Sequence, residues 1–440
     1  MLVGILLVPG ALADYYAAQN GQTPASPYTT WATAASNIQD AVNAATTNDM
    51  VWVGAGRYTV PPNATNYIGT NVVFVNKPMT LRSSNGVPAY TVIDGSGTNR
   101  GLAVFYTFSS TSLFVLDGFT ISNCWATNMG GGILFNGDNL CKWTGVVQNC
   151  VISYNTVGWG TNGGSFRDTT GARGGGFGSY NWNMNGYGLT ISNCVFRGNS
   201  AVGSGASGGG IHREGYGAVV IADCLMESNS AVNGGGCSIS MPPATFERCI
   251  IKDNIGSTRG GGLYLGSTAS KVKNCLIYNN AAGSGGGVCS FYAPVQDIES
   301  CTIVSNYGSV GAGIILRFYN QGAGIRVCNS VIYSNYNNLN IYSEGDVTTT
   351  NIWCTNICVY STNNLNAAGN TGNITNNPRF ADWAGKNFRL TPDSPCINTG
   401  FLQAWMTNGV DLDGRARIRY GTVDIGAYEV IFSGTIFRFY

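Results

Sequence analysis

One unit is copied along the middle of this chain: a Cys, apolar residues and an Asn, then a turn, then a Gly triplet followed by an apolar stretch. Its copies include Cys194-Val-Phe-Arg-Gly-Asn199, Cys224-Leu-Met-Glu-Ser-Asn229, Cys249-Ile-Ile-Lys-Asp-Asn254, Cys275-Leu-Ile-Tyr-Asn-Asn280 and Cys301-Thr-Ile-Val-Ser-Asn306. Gly triplets begin at Gly130, Gly174, Gly208, Gly234, Gly260 and Gly285, and Gly311-Ala-Gly313 is a degenerate copy. Cys224, Cys249, Cys275 and Cys301 are separated by 25, 26 and 26 residues. A period that regular belongs to stacked, equivalent coils. The Leu-x-x-Leu-x-Leu frame of a leucine-rich repeat is absent, and Gly triplets with β-branched residues and turn Asn suit short strands joined by tight corners.

The reading is an all-β chain, a right-handed parallel β-helix: a single-stranded solenoid of about 26 residues per coil with three short strands in each. Every strand then pairs with its counterpart one coil along, about 4.8 Å away. Side chains alternate along a strand, so the first residue after each triplet, as in Ile211, Leu263 and Val288, points inward. Each Cys and the residue two after it form a second inward row, and Asn five after Cys forms an internal ladder at a corner. The Cys row is thus buried packing of free thiols, because stacked parallel Cβ vectors stand farther apart than a disulfide prefers. On that basis Cys249→Ser and Cys275→Ser are expected to destabilise, each burying a hydroxyl without a partner.

The division follows from the ends: 1–13 as a signal-peptide remnant, 14–50 as an N-terminal cap, 51–375 as the β-helix and 376–440 as a C-terminal capping module. Residues 1–13 are apolar and end small-x-small before Asp14, which points to export and a secreted or cell-surface setting. In the cap, Ile38, Ala41, Val42 and Ala45 share one helical face, suited to plugging the first coil. Charged residues make only 10% of the chain and the net charge is +1, which leaves no electrostatic footprint for nucleic acid. No apolar run reaches the length of a transmembrane helix. Cys354 and Cys358 lack the further ligands of a zinc site, and no metal or other cofactor is expected. Ca²⁺ has only Asp411 and Asp413 to bind it, in a pattern better read as a tight turn.

The helix followed by Val51-Trp-Val-Gly-Ala-Gly-Arg-Tyr58 resembles the N-terminal cap of secreted bacterial β-helix proteins of the pectin-lyase-like superfamily. The Gly-triplet and apolar-x-x-Asn units resemble the repeats of chlamydial polymorphic outer-membrane proteins. The tail, with Asn377-Pro-Arg-Phe380, Phe388-Arg-Leu-Thr-Pro-Asp-Ser-Pro-Cys-Ile397 and Asp411-Leu-Asp-Gly414 through Asp424-Ile-Gly-Ala-Tyr-Glu429, resembles the C-terminal module of many such proteins. These resemblances imply architecture more than activity, since a fold hosts many functions. Chlamydial relatives carry a C-terminal transporter barrel, and the 11 residues after Glu429 are too few for two membrane strands.

The resemblance implies two functions: a non-enzymatic adhesin-like or carbohydrate-binding surface protein, or a polysaccharide lyase or glycoside hydrolase. Enzymes on this fold use acidic clusters, Ca²⁺ and basic residues on one sheet's outer face. This chain has no Asp-Asp pair and only one His, His212, so the first reading is favoured. A ligand site is expected where an insertion at 156–173, bearing Trp159, Arg167, Asp168 and Arg173, overhangs the sheet after the triplets. There Tyr180, His212 and Glu214 are placed on the outer, solvent-facing row, with Trp182 close by. Aromatics with a few polar groups suit sugar rings, the implied partner is an extracellular polysaccharide or cell-surface glycan, and His212 and Glu214 are the candidate catalytic pair.

Overall fold

The computed structural model describes residues 12–61, 65–66, 69–106, 111–137, 142–158, 171–181, 188–266, 269–291, 295–318, 324–336, 339–345, 352–361 and 371–431. The chain is a parallel β-helix. Counted over the described residues, its first sheet has 12 strands, from Asp14–Ala17 and Met50–Val53 to Ile352–Thr355, and its second has 11, from Gly56–Tyr58 to Cys358–Val359. The triplet sheet also has 11, running from Thr65–Asn66 and Gly69–Val75 to Ile341–Gly345. Between the second sheet and the triplet sheet lies a short corner sheet of seven strands, Trp125–Thr127 to Tyr307–Val310, which adds a fourth strand to the coils that have it.

Each full coil turns on left-handed residues. One precedes the Cys, as at Asn193, Asp223, Arg248 and Asn274; another precedes the corner Asn, as at Ser228, Asp253, Asn279 and Ser305. Asn, Asp and Ser recur there because short polar side chains tolerate positive φ. The third bend is the first glycine of each triplet, with φ +68° at Gly208 and +64° at Gly234. Its neighbours must also be small: a Cβ on Gly235 would stand 2.4 Å from the carbonyl oxygen of Ile255, one coil along.

In-register pairing of Val195, Leu225, Ile250, Leu276 and Thr302 places Cys194, Cys224, Cys249, Cys275 and Cys301 in one column, with Cys150 before them and Ser330 after. The described cysteines are unbridged, and the column is buried. These thiols are not idle. Each donates to the carbonyl two residues back, at 3.2 Å for Cys194 to Ser192 and 3.1 Å for Cys275 to Lys273. Ser330 takes the next slot in the same way, donating to Cys328 O at 2.8 Å and accepting from Cys301 N at 3.0 Å.

That arrangement corrects the expectation for serine, because a hydroxyl in the column finds a donor and an acceptor. Cys275→Ser should therefore cost no more than about 1 kcal/mol, the scale of one net hydrogen bond. Cys275→Leu, which adds bulk to a closed column, should cost more, about 1–3 kcal/mol. Urea melts compare them; a serine variant weaker than the leucine one would contradict the geometry.

The corner asparagines form the second column, Asn155, Asn199, Asn229, Asn254, Asn280, Asn306 and Asn335. Each Oδ1 accepts from the backbone N–H and the amide of the preceding member, and each Nδ2 also donates to a backbone carbonyl, as from Asn254 to Met226 O at 2.9 Å. Cys124 stands at the head of this column, not in the thiol column, its N–H donating to Asn155 Oδ1 at 3.0 Å.

At the front, helix Ile38–Ala44 starts on the Asn37 side chain, which accepts from Asp40 N, and buries Ile38, Ala41 and Val42 against the first coils. Gln39 then closes an open edge. Its amide accepts from Phe74 N at 2.7 Å and donates to Phe74 O at 3.0 Å, satisfying backbone groups of the strand Gly69–Val75. The tail folds back along the flank: Phe388, Leu390, Cys396, Ile425, Ala427 and Tyr428 bury the outer face of the second sheet at Leu276, Val304, Val331 and Cys358.

Candidate functional site

The outer face of the triplet sheet carries the candidate site, and it is not the open surface that the two-residue period predicts. Pairing aligns Gly178, His212 and Ser238 in one row and Tyr180, Glu214 and Ser240 in the next, as expected from the repeat. Yet His212 is 2% exposed and Ser238 is fully buried, while Tyr180 and Glu214 are half-buried. Placing His212 in a solvent-facing row is thus corrected by the path of the chain. The first glycine of each triplet packs over the residue four positions later: a Cβ on Gly208 would stand 2.8 Å from the Cβ of His212. The residues just before the triplets, Met129, Arg173, Ser207 and Asn233, are bridged to one another in parallel across this outer layer.

Arg173 belongs to that layer. Its Nη1 pairs with Glu214 Oε2, and the same carboxylate oxygen lies 3.4 Å from His212 Nε2. Burial holds the His212 imidazole well below its ordinary pKa, and the positive charges of Arg173 and Arg213 push it further down. The folded site therefore disfavours the protonated ring. Among the described residues its Nδ1 has no hydrogen-bond partner.

Arg213 carries a second correction. It is the third residue after its triplet, an inward place that the repeat fills mostly with apolar residues, and its side chain is fully buried. Its guanidinium donates to Glu214 O at 2.6 Å and to Tyr216 O, bracing the corner that follows the site strand. Only its place in the repeat could have flagged it.

The enlarged corners stack where they are described. Val157, Ala172, Ala201, Ala206 and Ala231 form a small apolar cluster of their own, and Arg173 bridges Ser207. Trp159, Arg167, Asp168 and Trp182 lie outside the described residues. The structure thus brings together Arg173, Tyr180, His212 and Glu214 from the expected set.

Farther along the face the groups are again engaged with one another. The Arg259 guanidinium lies 4.6 Å from the Phe291 ring centre, Tyr264 meets Phe291 at 5.9 Å, and Arg317 holds Glu344 through two hydrogen bonds of 2.5 and 2.9 Å. In the tail, Asp411 is committed to its own turn. Its Oδ1 accepts from Asp413 N and Arg415 N and its Oδ2 from Glu429 N, while Asp413 pairs with Arg389 and Arg415. Cys354 and Cys358 fall in different apolar clusters, one inside the helix and one under the tail, so they do not converge on a shared ion.

A pH dependence follows from His212. In the unfolded chain the imidazole takes a proton near its ordinary 6.5, whereas the folded site resists it. A depressed histidine contributes stability that is present above 6.5 and lost as pH falls from there through the folded value. The slope contributed by this one group is at most about 1.4 kcal/mol per pH unit. His212→Gln should flatten the decline in urea stability just below pH 6.5. An unchanged slope would mean that the ring titrates normally and faces water.

No family model matches the chain, and no curated protein matches its sequence. Among solved structures, pectate lyase Pel9A is similar at 14% identity and a TM-score of 0.53, with 95% of this chain and 96% of that chain covered. A rhamnogalacturonan lyase is 15% identical over 89% of this chain and 97% of its own, with a TM-score of 0.46. At such identity the likeness concerns architecture. The chain has the right-handed parallel β-helix fold that pectate lyase Pel9A also has.

Proposed function

We propose that this chain is an extracellular, adhesin-like β-helix that binds a glycan without cleaving it, with the ligand taken on the outer face of the triplet sheet. One observation carries the reading: at this site the acid is held by the cation and the base is shut away from solvent. Glu214 is paired by Arg173, and His212 is 2% exposed. Proton abstraction or donation needs a titratable group within hydrogen-bond reach of the substrate. Binding needs only an aromatic surface and oriented polar groups. Tyr180, half-buried beside Glu214, and the rim of the Arg173–Glu214 pair supply these.

The likeness of the repeats to those of chlamydial polymorphic outer-membrane proteins, and the apolar N-terminus, support the extracellular setting. Among the described residues no helix is long and apolar enough to cross a membrane.

A glycan array probed with the parent and with Tyr180→Ala tests the binding half. Parent binding weakened about tenfold in the variant, a loss of about 1.4 kcal/mol, is expected. Binding untouched by the substitution would move the ligand off this face. No binding by the parent to any glycan would overturn the reading.

A further inference from the structure

A second cleft lies on another flank, where the tail meets the second sheet. Tyr333 and Ser334, at the end of strand Val331–Tyr333, face Asn377, Arg379, Phe380 and Trp383 of the tail across a space of about 300 Å³. We propose that this cleft is a carbohydrate subsite that takes a pyranose ring of a neutral glycan, stacked on Trp383. The proposal rests on the glycan-binding reading and adds a separate place of contact.

Trp383 is 39% exposed, yet its indole is fixed from behind. Its ring meets Phe388 at 5.6 Å edge to face and Phe380 at 5.7 Å, and Phe388 is itself buried against Tyr278 at 5.2 Å. An exposed ring seated on a buried one is a preorganised platform, and ordering it again on binding costs little. Sugar rings present apolar C–H faces that suit such a surface, with hydroxyls left for polar groups at the edge.

The rim supplies those groups. Asn377 Oδ1 accepts from Arg379 N at 2.8 Å, which leaves the Asn377 amide NH₂ and the Ser334 hydroxyl to meet ligand hydroxyls. The Arg379 guanidinium is paired with Asp393, so the rim charges cancel. That balance favours a neutral sugar over a uronate. The volume is at the small end of ligand pockets, enough for a ring and not for an extended chain. With a site on the triplet sheet as well, one molecule could hold a polysaccharide at two points, and avidity would exceed either contact alone.

The test is titration calorimetry of the full chain with neutral tetrasaccharides of glucose, xylose, mannose and galactose, beside tetragalacturonate. Parent binding to a neutral probe should weaken at least tenfold in Trp383→Ala and survive in Trp383→Phe. Should Trp383→Ala melt early, Ser334→Tyr decides, because Tyr154 occupies the same left-handed corner several coils earlier and the bulk would fill the cleft. Unchanged affinity in a folded cleft variant, with Tyr180→Ala weakened, would overturn this subsite and leave the triplet-sheet reading intact. Failure of the parent to bind any glycan would overturn both. A preference for tetragalacturonate lost with Trp383 would overturn the neutral-sugar assignment.

Discussion

Asn254→Leu should cost about 4 kcal/mol or more and break the solenoid's cooperativity at its middle. Asn254 Oδ1 accepts from Asn229 N at 3.0 Å and from Asn229 Nδ2 at 2.9 Å, and its Nδ2 donates to Met226 O and to Asn280 Oδ1, each at 2.9 Å. Leucine has the same branching and number of heavy atoms, is bulkier, and returns none of these bonds. The groups stranded on both neighbouring coils are fully buried, and each such group costs about 1–3 kcal/mol. Asn254→Asp should also fail, since a carboxylate cannot donate to Met226 O. In a stacked repeat each coil touches only its neighbours, so weakening one interface uncouples the two ends. Urea unfolding followed by circular dichroism should show an early, broadened transition. A variant with the parent's midpoint and slope would mean that the asparagine column carries little of the stability.

Arg417→Met is the second large effect. The Arg417 side chain is wholly buried among Asp411, Asp424 and Glu429 and donates to Gly426 O and Asp424 O at 2.9 Å each. It also reaches Ser300 Oγ at 3.2 Å, a corner residue of the β-helix, and Glu429 Oε1 at 3.1 Å. One guanidinium therefore ties the tail to the solenoid. Burial lifts the Glu429 carboxyl to about 8 and raises Asp424, and in both the charge of Arg417 pulls the other way. Removing one partner of a buried pair costs about 3–5 kcal/mol.

The tail of Arg417→Met should detach before the coils unfold, exposing residues 371–431 to limited proteolysis. Lysine, which cannot reproduce the forked contacts, should rescue poorly. Arg417→Met combined with Glu429→Gln should recover part of the loss. A single variant as protease-resistant as the parent would show that apolar contact alone holds the tail.

The columns were legible in the sequence because they depend on spacing. Intervals of 25 and 26 residues place Cys224, Cys249 and Cys275 in one line whatever the side chains do in detail, and the corner asparagines follow at a fixed offset. The cap helix was legible from the periodicity of Ile38, Ala41 and Val42. What lies over a sheet was not. A two-residue period says which face His212 occupies, but the reversal at Gly208 that covers it is a property of the coil's path. Arg213 was missed because its residue type argues for the surface and its position for the interior. The cleft of Tyr333 and Trp383 joins residues 50 positions apart, brought together by a tail whose docking face no local motif encodes.

The central claim is binding without cleavage. Its most direct measurement is light scattering on size-separated polysaccharide, acidic and neutral, after prolonged incubation with the protein. Retention of the protein by at least one polymer whose chain length does not change is the predicted result. Shortening of the polymer by the parent, abolished in His212→Gln or Glu214→Gln, would contradict the account and make the buried pair catalytic.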